Sequence, residues 1–167
     1  MALADDLLSQ AHALAIFDPD IPTQANLRRS ISSSYYAVFH LLISESVQLL
    51  VPAQPRGLAS RVGRAFAHAD MSKVCKQVSQ RPLPDVFVPL LNKGISEQLR
   101  SVAETFSTLQ QARHVADYDI SAVFLREDAL SIVADARFVF TDWNLIRNTE
   151  EANVFLTALA FGARWAK

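Results

Sequence analysis

NLRRSISSSYYAVFHLLISESVQLL, residues 26–50, is the stretch on which the reading of the chain turns. It contains no proline and no glycine, the two residues that most often end a helix. At helical spacing Ile31, Tyr35, Val38 and Leu42 form one apolar stripe. A second stripe begins with polar groups, Arg29, Ser33, Tyr36 and His40, and continues as Ile43, Val47 and Leu50. A helix that is apolar on two sides is expected at the centre of a helical domain, touched by several neighbours. The polar half of its second stripe is then a satisfied hydrogen-bond network or a site.

Working outward, residues 2–17 read as a first helix with Leu3, Leu7, Leu8, Ala11, Leu14 and Ala15 on one side. The turn FDPDIP ends it, and Thr23 is the expected N-cap of the central helix, which Pro52 and Pro55 stop. A third helix is expected over residues 57–69, with Leu58, Val62, Ala65, Phe66 and Ala69 inward. Ser72 is expected to cap a short turn containing Val74 and Val78. Three prolines in RPLPDVFVP make 80–93 an irregular crossover, pinned by Val86, Phe87, Val88 and Leu90. Ser96 opens a helix to about residue 116 whose ladder is Ile95, Leu99, Val102, Phe106 and Leu109. The next steps of that ladder are Arg113 and Ala116, so an arginine falls on a buried stripe. ADYDIS breaks this helix. A further helix spans about 123–148, with Leu125, Ala129, Ile132, Ala136, Val139, Phe140, Trp143 and Ile146 inward, and a last one about 150–165, with Val154, Leu156, Leu159, Ala160 and Phe161. Strand-like alternation is nowhere sustained. The fold class that follows is all-α: one domain over residues 1–167, an up-and-down bundle of about five or six helices.

Composition narrows the function. The 167 residues suffice for one domain with a sizeable core. Half are apolar and a fifth charged, the balance of a globular chain, and no run reaches the length of a membrane span. The acidic N-terminus MALADDLLSQ lacks the basic first region of a signal peptide, and one cysteine, Cys75, leaves no internal disulfide, so a cytoplasmic location is expected. The net charge of −1 offers no global field for nucleic acid or membrane. Charge is nevertheless uneven. Residues 1–22 carry Asp5, Asp6, Asp18 and Asp20 without a cation, whereas residues 56–81 carry Arg56, Arg61, Arg64, Lys73, Lys76 and Arg81 against Asp70 alone. The basic run is an ordinary solvated surface or a phosphate-facing patch.

Phosphate loops, H-E-x-x-H pairs and a nucleophile elbow are all missing. Four histidines on separate segments lack a paired carboxylate spacing, so no metal and no cofactor is expected. Three constellations remain. The stripe Arg29, Ser33, Tyr36, His40 is a buried network or a ligand site. Arg113-His114-Val115-Ala116-Asp117-Tyr118 closes a helix: Arg113 and Asp117 form an ion pair that fixes the helix end, or Arg113 and His114 face a cleft and hold a phosphate, with Tyr118 stacking on a base. Arg64 and His68, at i,i+4 with Arg61 one turn earlier, form an ordinary basic face, or a pair in which the histidine moves a proton and the arginines stabilise a phosphorane-like charge.

LRRSISSSYYAVFHLLI resembles the signature helix of HEPN-domain proteins (higher eukaryotes and prokaryotes nucleotide-binding), in which a basic residue, small polar residues, paired tyrosines and a following Phe-His are typical. It is most similar to the small stand-alone prokaryotic members, whose later helix carries an Arg followed by Ala-Asp-Tyr, as Arg113, Ala116, Asp117 and Tyr118 stand here. The resemblance follows element order over roughly residues 5–147. It implies an all-helical homodimer acting in a defence or toxin–antitoxin-type system, with RNA or a nucleotide as ligand and a nucleotidyltransferase-type or antitoxin partner. Ribonucleases of the family carry an Arg, four to six residues and a His on a late helix. Here no His follows Arg113 at that distance, and Arg61 with His68 has the right count on a different helix. The expectation is therefore a non-catalytic binder of RNA or nucleotide. One alternative is a weak metal-independent ribonuclease using Arg64, His68, Arg113 and His114. The other is an interaction module in which Trp143, Trp165, Phe155 and Phe161 form an exposed apolar patch rather than core.

Overall fold

A computed structural model describes residues 2–52 and 56–165, with the side chains of Ala2, Arg56 and Ala163 outside the description. Pro55, expected to help stop the central helix, also lies outside the described residues. The described residues form seven α-helices and no strand: α1 Ala2–Ala15, α2 Gln24–Leu50, α3 Arg56–Gly63, α4 His68–Val78, α5 Glu97–Tyr118, α6 Arg126–Ile146 and α7 Glu150–Phe161. Short 3₁₀ turns occupy Val88–Leu90 and Gly162–Arg164. No helix among the described residues is long and apolar enough to cross a membrane. The chain divides into two compact units, residues 1–41 with 105–141 and residues 42–104 with 142–167.

In the first unit, the serine run of α2 explains itself. Ser30, Ser32, Ser33 and Ser34 are all buried, which is tolerable only when each hydroxyl has a partner. Ser30 Oγ donates to the Ala11 carbonyl at 2.7 Å and Ser33 Oγ to Gln10 Oε1 at 3.2 Å, both on α1. Ser34 Oγ bonds back to the Ser30 carbonyl of its own helix. Ala15, Leu27, Ile31, Ala116 and Ala129 pack together beneath Phe124 and Ile132, and Tyr35 is fully buried with its ring centroid 5.5 Å from that of Phe106. Thr23 caps α2 as expected, accepting from Asn26 N.

The second unit is built around α4 and α7. Met71, Ser72, Val74, Cys75 and Val78 form the buried face of α4. A Cβ on Gly162 would lie 2.9 Å from Val74 Cγ2, so the chain approaches α4 here at a distance that only glycine allows. Trp143 is fully buried beside Phe155. Thr149 caps α7, while Glu150 accepts from Asn92 N and Nδ2 and Glu151 from Ser96 N, tying the loop before α5 to the start of α7.

Several expectations are corrected. Residues 57–69 are not one helix: α3 stops at Gly63 and α4 starts at His68, with Ala67 extended between them. Ser72 lies inside α4 and is buried rather than opening a turn. Seven helices thus replace five or six. Of the four residues expected to pin the crossover, Phe87 is buried, whereas Val88 and Leu90 are exposed. Leu3 and Leu125 are exposed too. Leu125 stands just before α6, its N–H bonded to Asp128 Oδ2, so the helical period on which it was expected inward does not extend to it. Trp143 and Phe155 are core, so they do not form the exposed apolar patch of the interaction-module alternative.

Candidate functional site

The polar groups of α2 and the C-terminal turn of α5 meet in the first unit. Positions 32, 36 and 40 lie one turn apart on α2, and 113 and 117 one turn apart on α5, so each set forms a row along its helix. Arg113 Nη2 donates to the Tyr36 hydroxyl at 2.9 Å. Its Nε lies 2.7 Å from Asp117 Oδ2, an ion pair whose alignment falls short of a hydrogen bond. The other carboxylate oxygen of Asp117 accepts from Ser32 Oγ. The guanidinium carbon sits 5.5 Å from the centre of the Tyr36 ring and 5.4 Å from that of Tyr118, within cation–π range of both. His114 and Tyr118 have ring centroids 5.1 Å apart, and Tyr36 and His40 6.4 Å.

Tyr36, His40, Arg113 and Asp117 are therefore one cluster, and the arginine on the apolar stripe is paired as its position requires. Burial pushes the Arg113 guanidinium down, but Tyr36 and Asp117 beside it outweigh that and hold it above its ordinary value. Burial alone pushes His40 down, which keeps its imidazole neutral at pH 7. The side chains of Arg113 and Asp117 are about one-fifth exposed (21% and 20%), while Tyr118 is 62% exposed. Chemically, the cluster offers a guanidinium already paired with a carboxylate and partly reachable from solvent, and an exposed tyrosine at its edge.

Arg29 is not part of it. It is exposed on α2, and Ser33 turns to α1, so the stripe Arg29, Ser33, Tyr36, His40 is split among three environments. The arginine that matters structurally is its neighbour Arg28. Arg28 Nη1 donates to the carbonyls of Ala116 and Asp119 at 2.8 and 2.9 Å, and Nη2 to those of Asp119 and Ala122. These bonds supply donors where the last carbonyls of α5 run out of helix. Ser32 and Arg28 both escaped the sequence reading, although Ser32 is one turn before Tyr36 and Arg28 is half of the Arg-Arg pair.

Arg64 and His68 do not share a helix. Arg64 lies in the turn after α3 and His68 is the first residue of α4, so their four-residue spacing no longer sets them on one helical face. Arg61, Arg64 and His68 are exposed. Arg113 and His114, successive helix positions, both meet Tyr118, the imidazole with its centroid 5.1 Å and the guanidinium carbon 5.4 Å from the ring centre, and Arg113 also reaches Tyr36 and Asp117. Among the described residues no group of three His, Cys, Asp or Glu is placed to hold a metal ion. Cys75 is buried and its thiol is pushed far up by that burial, which leaves it unreactive.

Comparison with protein families, with curated proteins and with solved structures finds no match to this chain.

Proposed function

We propose that this protein is a HEPN-like binder of RNA or a nucleotide, acting without catalysis of its own and as a homodimer within a defence or toxin–antitoxin-type system. The observation that carries the reading is the Arg113 guanidinium held between the Tyr36 and Tyr118 rings, with Tyr118 open to solvent. A phosphate is met by the guanidinium, and a base stacks on the free phenol face. Ser32 and Asp117 fix the arginine, so it is oriented before any ligand arrives. That no histidine stands four to six residues after Arg113 supports binding over hydrolysis.

The test is binding of single-stranded RNA and of free nucleotides at low salt, followed by fluorescence anisotropy. Affinity is expected to fall steeply as salt is added, and Tyr118→Ala is expected to weaken it by about tenfold, the value of one lost stacking contact. No binding at low salt, or equal affinity in Tyr118→Ala, overturns the reading. Incubating RNA with wild type, His68→Ala and His114→Ala decides the ribonuclease alternative. Background cleavage in all three is expected, and cleavage by wild type that either variant abolishes establishes an enzyme.

A further inference from the structure

The end of the first unit formed by the α1–α2 and α5–α6 loops carries side chains that a solvated surface does not need. Phe17, Ile21, Ile120, Val123 and Leu125 are all strongly exposed, from 62% for Leu125 to 97% for Ile120. Single exposed apolar residues are common, but five on two loops that are bonded to each other point to an interaction surface. The two loops are joined. Gln24 Nε2 donates to the Phe124 carbonyl at 2.7 Å and Phe124 N donates back to Gln24 Oε1 at 2.9 Å, while Arg126 Nη2 bonds the Asp18 carbonyl. Between the loops lies an open cavity of about 480 Å³ whose walls include Pro19, Pro22, Val123 and Leu125.

The surface is also held rigid. Arg28 ties down three carbonyls of the α5–α6 turn, and Asp119 Oδ1 accepts from Ser121 N, Ser121 Oγ and Ala122 N. Asp18 fastens the opposite loop through Thr23 N and Asn26 Nδ2. Apolar tips held toward water by so many polar anchors are preorganised for a partner.

Charge selects that partner. The two loops and the first turn of α6 hold five carboxylates, Asp18, Asp20, Asp119, Glu127 and Asp128, against Arg126 and Arg28, an excess of three negative charges, and both guanidiniums are turned to backbone carbonyls. Hydrogen bonds from Thr23 hold the Asp18 carboxyl below its ordinary range, and those from Ser121 do the same for Asp119, so these charges persist in mildly acidic solution. A second copy that meets it through this same end brings the same acidic rim against it, and RNA is repelled by it. We infer that this acid-rimmed apolar end docks a positively charged amphipathic segment of another protein, which lays its apolar side over Ile21, Ile120 and Val123 and its cations against the carboxylates.

A synthetic amphipathic helix of Leu and Lys serves as the probe, with its Leu and Glu counterpart as the control. The Lys peptide is expected to bind wild type and the Glu peptide not. The Ile120→Ser, Val123→Ser double variant is expected to weaken binding by about tenfold or more. Asp20→Asn with Glu127→Gln, which keeps the apolar tips, is expected to weaken it several-fold and flatten its salt dependence. Phe138→Ser, an exposed change on α6 outside the loops, is expected to leave it unchanged. Equal binding by the loop variants, binding of the Glu peptide, or concentration-dependent self-association that the double variant abolishes each overturns the inference. Arg113→Ala is expected to leave peptide binding intact, so failure here is separable from failure of the RNA or nucleotide reading.

Discussion

Around Arg113 one guanidinium is oriented by a phenol hydroxyl, a carboxylate and two aromatic rings. Between residues 61 and 81, five cations stand in an equal length of sequence and none is oriented in that way. Arg81 is in an exposed ion pair with Glu97, and Arg61, Arg64, Lys73 and Lys76 are exposed. The amphipathic pattern of α4 is the cause: Met71, Val74, Cys75 and Val78 claim the inner face, which leaves Lys73 and Lys76 for water. Charge density in a sequence therefore reports solvation first. A binding group is recognised by what holds it, and the smaller charge in the first unit is the better held. Arg28 completes the contrast, since its donors are consumed by backbone carbonyls and none of its chemistry is spare.

The largest effect is expected where an arginine is purely architectural. Arg28→Ala removes four hydrogen bonds at the end of α5, partly at the surface, and is expected to cost about 2–3 kcal/mol in denaturant unfolding. A loss within the ordinary range of surface changes, about 0.5 kcal/mol, would make Arg28 no more structural than Arg113. Next, Arg113→Ala is expected to weaken RNA or nucleotide affinity by about tenfold. Arg61→Ala with Arg64→Ala is expected to lower it only about twofold, equally for every ligand, by removing unoriented charge. Reversal of that order, read by the same anisotropy titration, would transfer the site to the basic segment.

The smallest effect is a pH dependence. His40 has its folded-state value lowered by burial, so the unfolded chain binds its proton more readily. Its contribution to stability is present above the unfolded histidine value, about 6.5, and is lost as pH falls through the lowered folded value. His40→Gln is expected to flatten the decline in melting temperature on acidification below about pH 6.5. An unchanged slope would show that His40 is not the group responsible.

Much of the chain was legible beforehand, element by element. Thr23 caps α2 and Ser96 opens α5 where turn chemistry put them, and α2 has the expected length because nothing in it breaks a helix. The pairing of Arg113 with Asp117 follows from i,i+4 spacing together with the cost of an unpaired charge on an apolar stripe. The break at residues 64–67 was passed over although Gly63, a residue that often marks a helix end, stands at the last position of α3. Arginine and alanine after it continue a helix readily, and that local preference carried the third helix through to residue 69. Leu3 and Leu125 were misread for a related reason, since periodicity says nothing about where a helix stops needing cover.

By itself, then, the amino-acid order settled which segments are helical and that Arg113 must find a counter-charge, because both follow from interactions within a few residues. Only the folded chain decided that Tyr36 rather than Arg29 faces Arg113, that Ser32 steadies Asp117 from another helix, and that Arg28 closes α5 from 88 residues away. Those choices depend on the rotation of one helix against another. Burying apolar surface well sets that rotation, and burial is a property of the assembled unit that no local stretch contains.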